Sequence, residues 1–313
     1  MQKKNGILLV NLGTPEELTK TSIKQFLKVF LSDRRVIKTH PALWKPILHL
    51  FILPKRPQKS LPLYQEISHL PTLLDYTNSQ KANLQTMLPD TYVEVGMSYS
   101  QPTIKHALEK LMAAEVERIT VVPMYPQYSG TTVGSVFDEV MQYFYQTDQI
   151  IDLKFIASYY NNLLYIDYYA EKIKQILKKK EIDCLIFSYH GIPVSYVEDG
   201  DRYPDECTKT TQMIMERVGE VPYYQTYQSK FGPSEWLTPA TDDMMTKLPK
   251  QGYKNILVVT PGFIVDCLET VHEMEIENKQ YFLDAGGQEF TYLHPYNDDQ
   301  QFADLIVDLV TNN

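Results

Sequence analysis

The sequence predicts an α/β protein made of two similar Rossmann-like halves, each a parallel four-stranded sheet flanked by helices, with a cleft between the halves. Apolar runs of strand length alternate with amphipathic stretches of helical length, a pattern typical of parallel sheets covered on both faces. The same order of predicted strands and of the loops that follow them occurs twice along the chain. With 313 residues, the chain is also longer than the about 100 to 150 residues of a typical single domain. We therefore expect two domains, residues 1–147 and 148–313.

In the first half, apolar runs end at turn-forming residues. Strands in this part of the chain and just beyond it are predicted at residues 6–11, 92–97, 118–123 and 154–158. Apolar residues at helical spacing predict helices over residues 21–31 and 103–114. The polar stretch 146–149 marks the boundary that we expect between the halves.

The second half repeats the plan. Its strands are predicted at residues 183–188, at 222–226, in the run that starts at residue 255, and at 289–293. The loop 190–193 corresponds to the loop 13–15 of the first half. A terminal helix over about residues 299–312 could pack back on the first half.

Charge and cysteine usage limit the function classes. The formal net charge of −9 argues against a nucleic-acid-binding protein, because such surfaces need clustered Lys and Arg to neutralise phosphates. Cys184, Cys207 and Cys267 are far apart, so neither a disulfide framework nor a closed four-cysteine metal site is expected. Together with an N-terminus that does not resemble a signal peptide, this favours a cytoplasmic protein. Nothing in the sequence indicates the oligomeric state.

The longest apolar stretch, residues 42–54, contains Trp44 and is interrupted by Lys45, Pro46 and His49. It is shorter than the about 20 residues that span a bilayer. We expect it to pack in the core or line a cleft, with peripheral membrane contact of this stretch as the alternative.

One histidine stands out. The apolar run 183–188 leads into His190, and Gly191 and Pro193 then prevent the strand from continuing. Chemistry in α/β proteins is commonly located at such strand ends. A histidine there can accept a proton or bind a metal ion at neutral pH.

A row of carboxylates follows the equivalent strand end near residue 260. If residues 264–277 form an α-helix, Asp266, Glu269, Glu273 and Glu277 fall within an arc of about 80°. We interpret Glu277 as part of a solvated face. If the two halves are built alike, Glu269 converges with His190, and the pair suits either a divalent metal such as Fe²⁺ or proton removal.

Other features suggest a flat, carboxylate-bearing ligand. Residues 124–135 are rich in hydroxyl and aromatic groups and poor in charge, as expected of a pocket wall. Lys55 and Arg56 lie between two prolines and suit ligand carboxylates. The sequence contains no nucleophile elbow, phosphate-binding loop or dinucleotide fingerprint.

These motifs resemble those of the ferrochelatases, which insert ferrous iron into a porphyrin, and the resemblance runs through nearly the whole chain. The motifs that carry it are residues 11–15 (Asn-Leu-Gly-Thr-Pro), 30–35 (Phe-Leu-Ser-Asp-Arg-Arg), 125–129 (Tyr-Pro-Gln-Tyr-Ser), 185–193 with 199–203, 228–233 with Trp236, and 261–263 with 266–269. The pattern is most similar to the branch that uses protoporphyrin IX. The alternatives are a chelatase for another tetrapyrrole or metal, such as a coproporphyrin iron chelatase or a cobaltochelatase, and a non-catalytic porphyrin or haem carrier.

The resemblance implies a role for individual residues. His190 and Glu269 would be the catalytic residues that meet the substrate Fe²⁺, with Asp266 and Glu273 as a relay. The residues assigned to the porphyrin are Leu12, Arg56, Tyr99, Tyr125, Trp236 and Phe263. The reaction would form protohaem and release two protons.

The sequence also departs from the family pattern. Cys267 stands where many members have His, and His69 to Thr72 replaces a common Gly-Gly-Ser-Pro loop. No cysteine follows Cys267, so we expect no iron–sulfur cluster and no other resident cofactor.

Overall fold

The computed structural model describes residues 4–312. They form two compact units, each built on a four-stranded sheet. The first unit comprises the chain up to Tyr125, Ser129–Ser158 and the residues from Asp298 onward, and the second comprises Pro126–Tyr128 and Tyr159–Asn297. Two parallel sheets flanked by helices confirm the predicted α/β fold class.

The two sheets have the same strand order. The strands are β1 (Asn5–Asn11), β2 (Thr91–Met97), β3 (Arg118–Pro123), β4 (Asp152–Phe155), β5 (Cys184–His190), β6 (Tyr223–Gln228), β7 (Asn255–Val259) and β8 (Glu289–Leu293). The first sheet is ordered β2-β1-β3-β4 and the second β6-β5-β7-β8, with every pairing parallel. The repeat predicted from the strand ends is therefore present in the fold.

Helices flank both sheets. Those of the first unit are α1 (Lys20–Phe30), α2 (Pro41–Ile47), a π-helical turn (Leu48–Ile52), α3 (Arg56–Glu66), α4 (Leu73–Met87), α5 (Ile104–Ala113) and α6 (Val133–Tyr145). Those of the second are α7 (Leu163–Leu177), α8 (Val194–Glu198), α9 (Tyr203–Val218), α10 (Thr241–Lys247), a 3₁₀ turn (Leu248–Gln251), a π-helical segment (Leu268–Asn278) and α11 (Lys279–Asp284).

The last helix, α12 (Gln300–Thr311), returns to the first unit and packs against α4. Lys154 of β4 donates from its Nζ to the carbonyls of Leu309 and Val310, at 3.2 and 3.3 Å. Because the last carbonyls of a helix have no partner within the helix, this lysine both satisfies them and ties α12 to the sheet.

The first unit extends past the boundary suggested near residue 147. The strand expected at residues 154–158 covers Asp152–Phe155 instead, and it pairs with β3 from Arg118 opposite Asp152 to Val121 opposite Phe155. Parallel pairing places it in the first sheet, and the polar stretch before it is a loop within that unit. Sequence polarity alone does not reveal which sheet a strand joins.

The central strands form the core of each unit. Leu8 and Val10 of β1 are fully buried, as are Leu185 and Ile186 of β5. Burying each such side chain contributes about 1.5 to 3 kcal/mol. The strand ends that carry the candidate site residues are therefore attached to rigid elements.

The apolar stretch around Trp44 forms α2 and the π-helical turn after it. Leu48 packs with Leu31 and Leu53 in a small buried cluster, whereas Leu43, Leu50 and Phe51 are 66%, 67% and 61% exposed. Within residues 4–312, no helix is long and apolar enough to cross a membrane. Peripheral membrane contact by this exposed surface stays a prediction.

The first unit contains two neighbouring acids, Asp33 and Glu139. The Asp33 carboxylate accepts hydrogen bonds from the Tyr99 hydroxyl and from the Arg35 backbone N–H, each at 2.7 Å. Glu139 lies on α6 and is half-buried. Burial, and secondarily the Asp33 charge, raise the pKa of Glu139 to about 7.

We therefore predict that Glu139→Gln stabilises the protein at neutral pH and not at acid pH. A carboxyl group with a raised pKa contributes stability that is full below its unfolded value near 4.5 and is lost as pH rises through about 7. The amide does not titrate, so the variant should gain about 1 to 3 kcal/mol over this pH range. Urea unfolding at pH 4.5 and 8 measures the gain, with Glu109→Gln as control. An equal effect at both pH values would contradict the prediction.

Candidate active site

β5 delivers His190 to the edge of the second sheet. Its residues from Cys184 to Tyr189 are buried, and the pairing with β6 continues to His190 opposite Gln228. The Gly191 N–H then donates to the Gln228 carbonyl at 2.8 Å. A Cβ at Gly191 would lie 3.0 Å from that carbonyl oxygen and 3.2 Å from the Trp236 ring. A larger residue would have to displace these neighbours by a few tenths of an ångström, so glycine suits this close approach, and the turn fixes the direction of the strand end.

The imidazole of His190 has a defined tautomer. Its Nδ1 lies 2.7 Å from the Gly191 carbonyl oxygen. A carbonyl oxygen only accepts hydrogen bonds, so Nδ1 carries a proton, and in the neutral ring Nε2 then carries the lone pair. The half-buried ring is thus prepared to take a proton or a metal ion at Nε2.

The helix after β7 differs from the expected one. Residues Leu268–Asn278 are π-helical, and Cys267 before them is extended, with φ −152°. Asp266 therefore precedes the segment, so the prediction of one α-helical row from Asp266 to Glu277 is wrong. The structure divides those carboxylates among different partners. π-Helical turns are rare and are frequent at functional sites.

Glu273 is held by the loop after β6. Its carboxylate accepts hydrogen bonds from the N–H of Ser229 at 2.7 Å and from the Ser229 hydroxyl. Ser229 adopts a left-handed backbone conformation, φ 64°, to make both contacts. Burial raises the pKa of Glu273; the Ser229 hydrogen bonds and His190 oppose the increase, and Glu269 adds to it. His190 and Glu269 are therefore both close enough to Glu273 to shift the pKa of its carboxyl group.

Glu269 is positioned by Gln228. The Gln228 Nε2 donates to the Glu269 carbonyl at 2.8 Å, and its Oε1 accepts from the Ser188 hydroxyl at 2.8 Å. This buried amide thus joins β5, β6 and the π-helical segment. The half-buried Glu269 side chain lies close enough to Glu273 for its charge to raise the pKa of Glu273.

Two other members of the former row lie in separate environments. Asp266 is buried and bonds to His294, Asn297 and Thr270. The Oε2 atom of Glu277 lies 3.8 Å from Nδ1 of His272.

Burial and the neighbouring Glu269 raise the pKa of the Cys267 thiol well above its ordinary value, so this cysteine is a neutral thiol.

The aromatic candidates of the second unit lie near these strand ends. Trp236 packs against Gly191, next to His190, and its buried indole N–H has no hydrogen-bond partner within residues 4–312. Phe263 follows β7, is half-buried, and accepts a hydrogen bond at its carbonyl from Tyr169. The structure thus brings Trp236 to the histidine and places Phe263 at the start of the chain that leads to Glu269.

The candidates of the first unit also occupy strand ends, with one exception. The Leu12 carbonyl accepts from the Tyr99 N–H at 3.0 Å, and the half-buried Tyr125 follows β3. Tyr99 is buried and packs edge-on against Phe30 at 5.0 Å. Arg56 is exposed at the first residue of α3.

Sequence reasoning missed Gln228 and Ser229 as groups that hold the acids. Their position at the end of a predicted strand could have marked them as candidate site residues. Their partners, Glu269 and Glu273, could not be predicted, because these contacts depend on the π-helical geometry. Within residues 4–312, no three His, Cys, Asp or Glu side chains are placed so as to hold a metal ion together.

Comparison with known proteins identifies the family of the chain. Residues 4–313 match the family model described as ferrochelatase. The chain is 59% identical to a coproporphyrin III ferrochelatase of Enterococcus faecalis over 99% of both proteins. It is 42% identical to a coproporphyrin III ferrochelatase of Lactococcus lactis subsp. cremoris, over 100% of this chain and 98% of that protein. A ferrochelatase of Pectobacterium atrosepticum is also 42% identical, over 99% and 98%.

Solved structures show the same fold. SirB from Bacillus subtilis with Fe³⁺ superimposes with a TM-score of 0.62 at 11% identity, over 99% of this chain and 96% of that one. CbiX, the terminal enzyme for biosynthesis of siroheme in denitrifying bacteria, gives a TM-score of 0.53 at 10% identity, over 99% of both chains. The family model and the relatives of 42 to 59% identity confirm the family expected from the motifs: the chain belongs to the ferrochelatases, a family of metal chelatases.

Proposed function

We propose that this ferrochelatase inserts Fe²⁺ into coproporphyrin III and releases two protons. The observation that carries the choice of porphyrin is the 59% identity, over nearly the full length, to a protein named for that activity. This favours the alternative substrate over the protoporphyrin IX expected from the motifs. Protoporphyrin IX is the second candidate, since a relative at 42% identity carries the name ferrochelatase without a stated porphyrin.

The proposed chemistry begins with the metal. An incoming Fe²⁺ exchanges water for the Nε2 lone pair of His190 and a carboxylate oxygen of Glu269, ligands that suit a borderline divalent ion. Glu273 lies in the same neighbourhood and supplies further negative charge, which favours entry of a cation. Because these few groups do not form a complete ligand set, the iron is held loosely enough to pass to the macrocycle.

The macrocycle must lose its two pyrrole protons as the iron enters. Once the metal has passed on, Nε2 of His190 is again free to accept one proton, and Glu269 accepts the other. Near His190, the side chains of Trp236 and Phe263 would contact the ring. Porphyrin contacts by Leu12, Arg56 and Tyr125 of the first unit stay predictions from the family resemblance. Contacts that favour a bent ring over a flat one would lower the barrier.

The substrate assignment predicts the order of rates. Coproporphyrin III carries propionates where protoporphyrin IX carries vinyl groups, and a site built to bind polar substituents rejects an analogue that lacks them. We expect kcat/KM for anaerobic Fe²⁺ insertion to be at least about tenfold higher with coproporphyrin III, equivalent to about 1.4 kcal/mol. A preference for protoporphyrin IX would overturn this assignment. Faster Co²⁺ insertion into sirohydrochlorin would indicate a cobaltochelatase, and binding without product would indicate a carrier.

The residue assignment predicts separate effects on turnover and binding. His190→Ala should lower kcat by at least about 100-fold, because proton transfer by a positioned group contributes about that much. Glu269→Gln should also cause a large loss. Porphyrin affinity, measured by fluorescence quenching, should survive in both variants. Glu216→Gln, an exposed change on α9, is the control. Retention of most activity in either variant would remove that residue from the mechanism.

A further inference from the structure

A buried carboxylate outside the proposed reaction lies at the start of the π-helical segment. Asp266 is 6% exposed. Its Oδ2 accepts from Asn297 Nδ2 and pairs with His294 Nδ1, each at 2.7 Å, and its Oδ1 accepts from the Thr270 hydroxyl at 2.8 Å. Within the described part of the chain, the basic side chain at ion-pair distance from Asp266 is that of His294, and no Lys or Arg side chain lies as close.

His294 also reaches the middle of the same segment. Its Nε2 lies 3.6 Å from Glu275 Oε1, and its ring packs edge-on against Tyr292 at 4.9 Å. The hydrogen bond to Asp266 raises the pKa of His294, which favours the form that donates from both nitrogens. One imidazole therefore connects the residue before the segment to a residue within it.

Asn297 completes the anchor. Its Oδ1 accepts from the backbone N–H of Asp266 at 2.7 Å, and its own N–H donates to the Ile264 carbonyl at 3.0 Å. Asn297 adopts a left-handed conformation, φ 52°, which carries an energetic cost for a residue other than glycine. The bonds to Asp266 and Ile264 offset this cost, so the turn after β8 has a defined geometry that serves Asp266.

The anchor leads directly to the candidate catalytic acid. Thr270, which donates to Asp266, also accepts from the Cys267 N–H at 2.9 Å, and Glu269 lies between these two residues in the chain. On its other side, Glu269 is held at its carbonyl by Gln228. The first turn of the segment is thus fixed from two sides. Gln228 holds it at the end of β6, and Asp266 holds it through the residues that follow β8.

We infer that His294 is a positioning residue for metal insertion: by its hydrogen bond to Asp266 it fixes the start of the π-helical segment and thereby the place of Glu269. This inference rests on the proposed role of Glu269. His294 touches neither iron nor porphyrin in this account and acts through the segment. Neither the motifs nor the spacing of the acids indicated this histidine.

The test compares two substitutions at this position. His294→Leu removes both contacts, whereas the side-chain amide of His294→Asn can donate to Asp266 in place of Nδ1. We expect His294→Leu to lower kcat for Fe²⁺ insertion by about 10-fold or more, as for other residues that orient a metal-site ligand, with KM for the porphyrin unchanged. His294→Asn should keep at least half of the wild-type kcat. His106→Leu, a change of an exposed histidine on α5, is the control.

A second readout does not depend on activity. Amide hydrogen exchange of residues 268–278 should be faster in His294→Leu than in the wild type and close to normal in His294→Asn. If His294→Leu exchanges and turns over like the wild type, the inference is wrong. It is also wrong if His294→Asn folds and loses as much kcat as His294→Leu. A wild-type protein that inserts no metal would refute the proposed function, while faster exchange in His294→Leu would still support the anchor.

Discussion

The candidate site of the second unit depends on the hydrogen bonds of the Gln228 side chain. This side chain is buried at the end of β6, accepts from Ser188 on β5 and donates to the carbonyl of Glu269. A buried amide left without partners would cost about 1 to 3 kcal/mol, so these contacts fix one another. The strand that presents His190 and the segment that presents Glu269 are thereby held in one arrangement, and the chemistry follows from that arrangement.

A second constraint is electrostatic. Glu273 is desolvated near Glu269, which raises its pKa, while Ser229 and His190 favour its charged form. A buried acid with such opposed influences can change its charge when a cation or a proton arrives. The proposed metal insertion would use that property, because a divalent ion enters and two protons leave. The left-handed backbone of Ser229 is consistent with strain retained for this purpose.

Much of the fold could be predicted from the sequence. The paired strand ends around Leu12 and His190 indicated two similar parallel sheets, because loops after buried strands occupy equivalent places in such folds. The boundary near residue 147 could not be predicted well, since membership of β4 depends on pairing with β3, a contact between distant segments. The return of α12 to the first unit was open for the same reason.

For the candidate site, the sequence indicated residue types but not their geometry, and the functional roles of these residues stay predictions. His190 and Glu269 were indicated by their positions at or after strand ends. The α-helical spacing assumed for Asp266 to Glu277 was wrong, because the π-helical segment makes its side-chain contacts with residues that are distant in the sequence. Two partners of the Asp266 side chain, His294 and Asn297, come from the turn after β8, and no local pattern reveals contacts with such a distant segment. The porphyrin substrate was the hardest property to predict, because a single sequence does not show which porphyrin substituents the related proteins bind.

The central claim, that Nε2 of His190 and the carboxylate of Glu269 receive the metal, is tested most directly by a crystal structure of the protein soaked with Zn²⁺ in place of the oxidisable Fe²⁺. The account predicts anomalous density about 2.0 to 2.1 Å from His190 Nε2 with a Glu269 oxygen as a further ligand, and loss of that density when His190 is replaced by Ala. Zinc bound with full occupancy elsewhere, with Nε2 of His190 left uncoordinated, would contradict it.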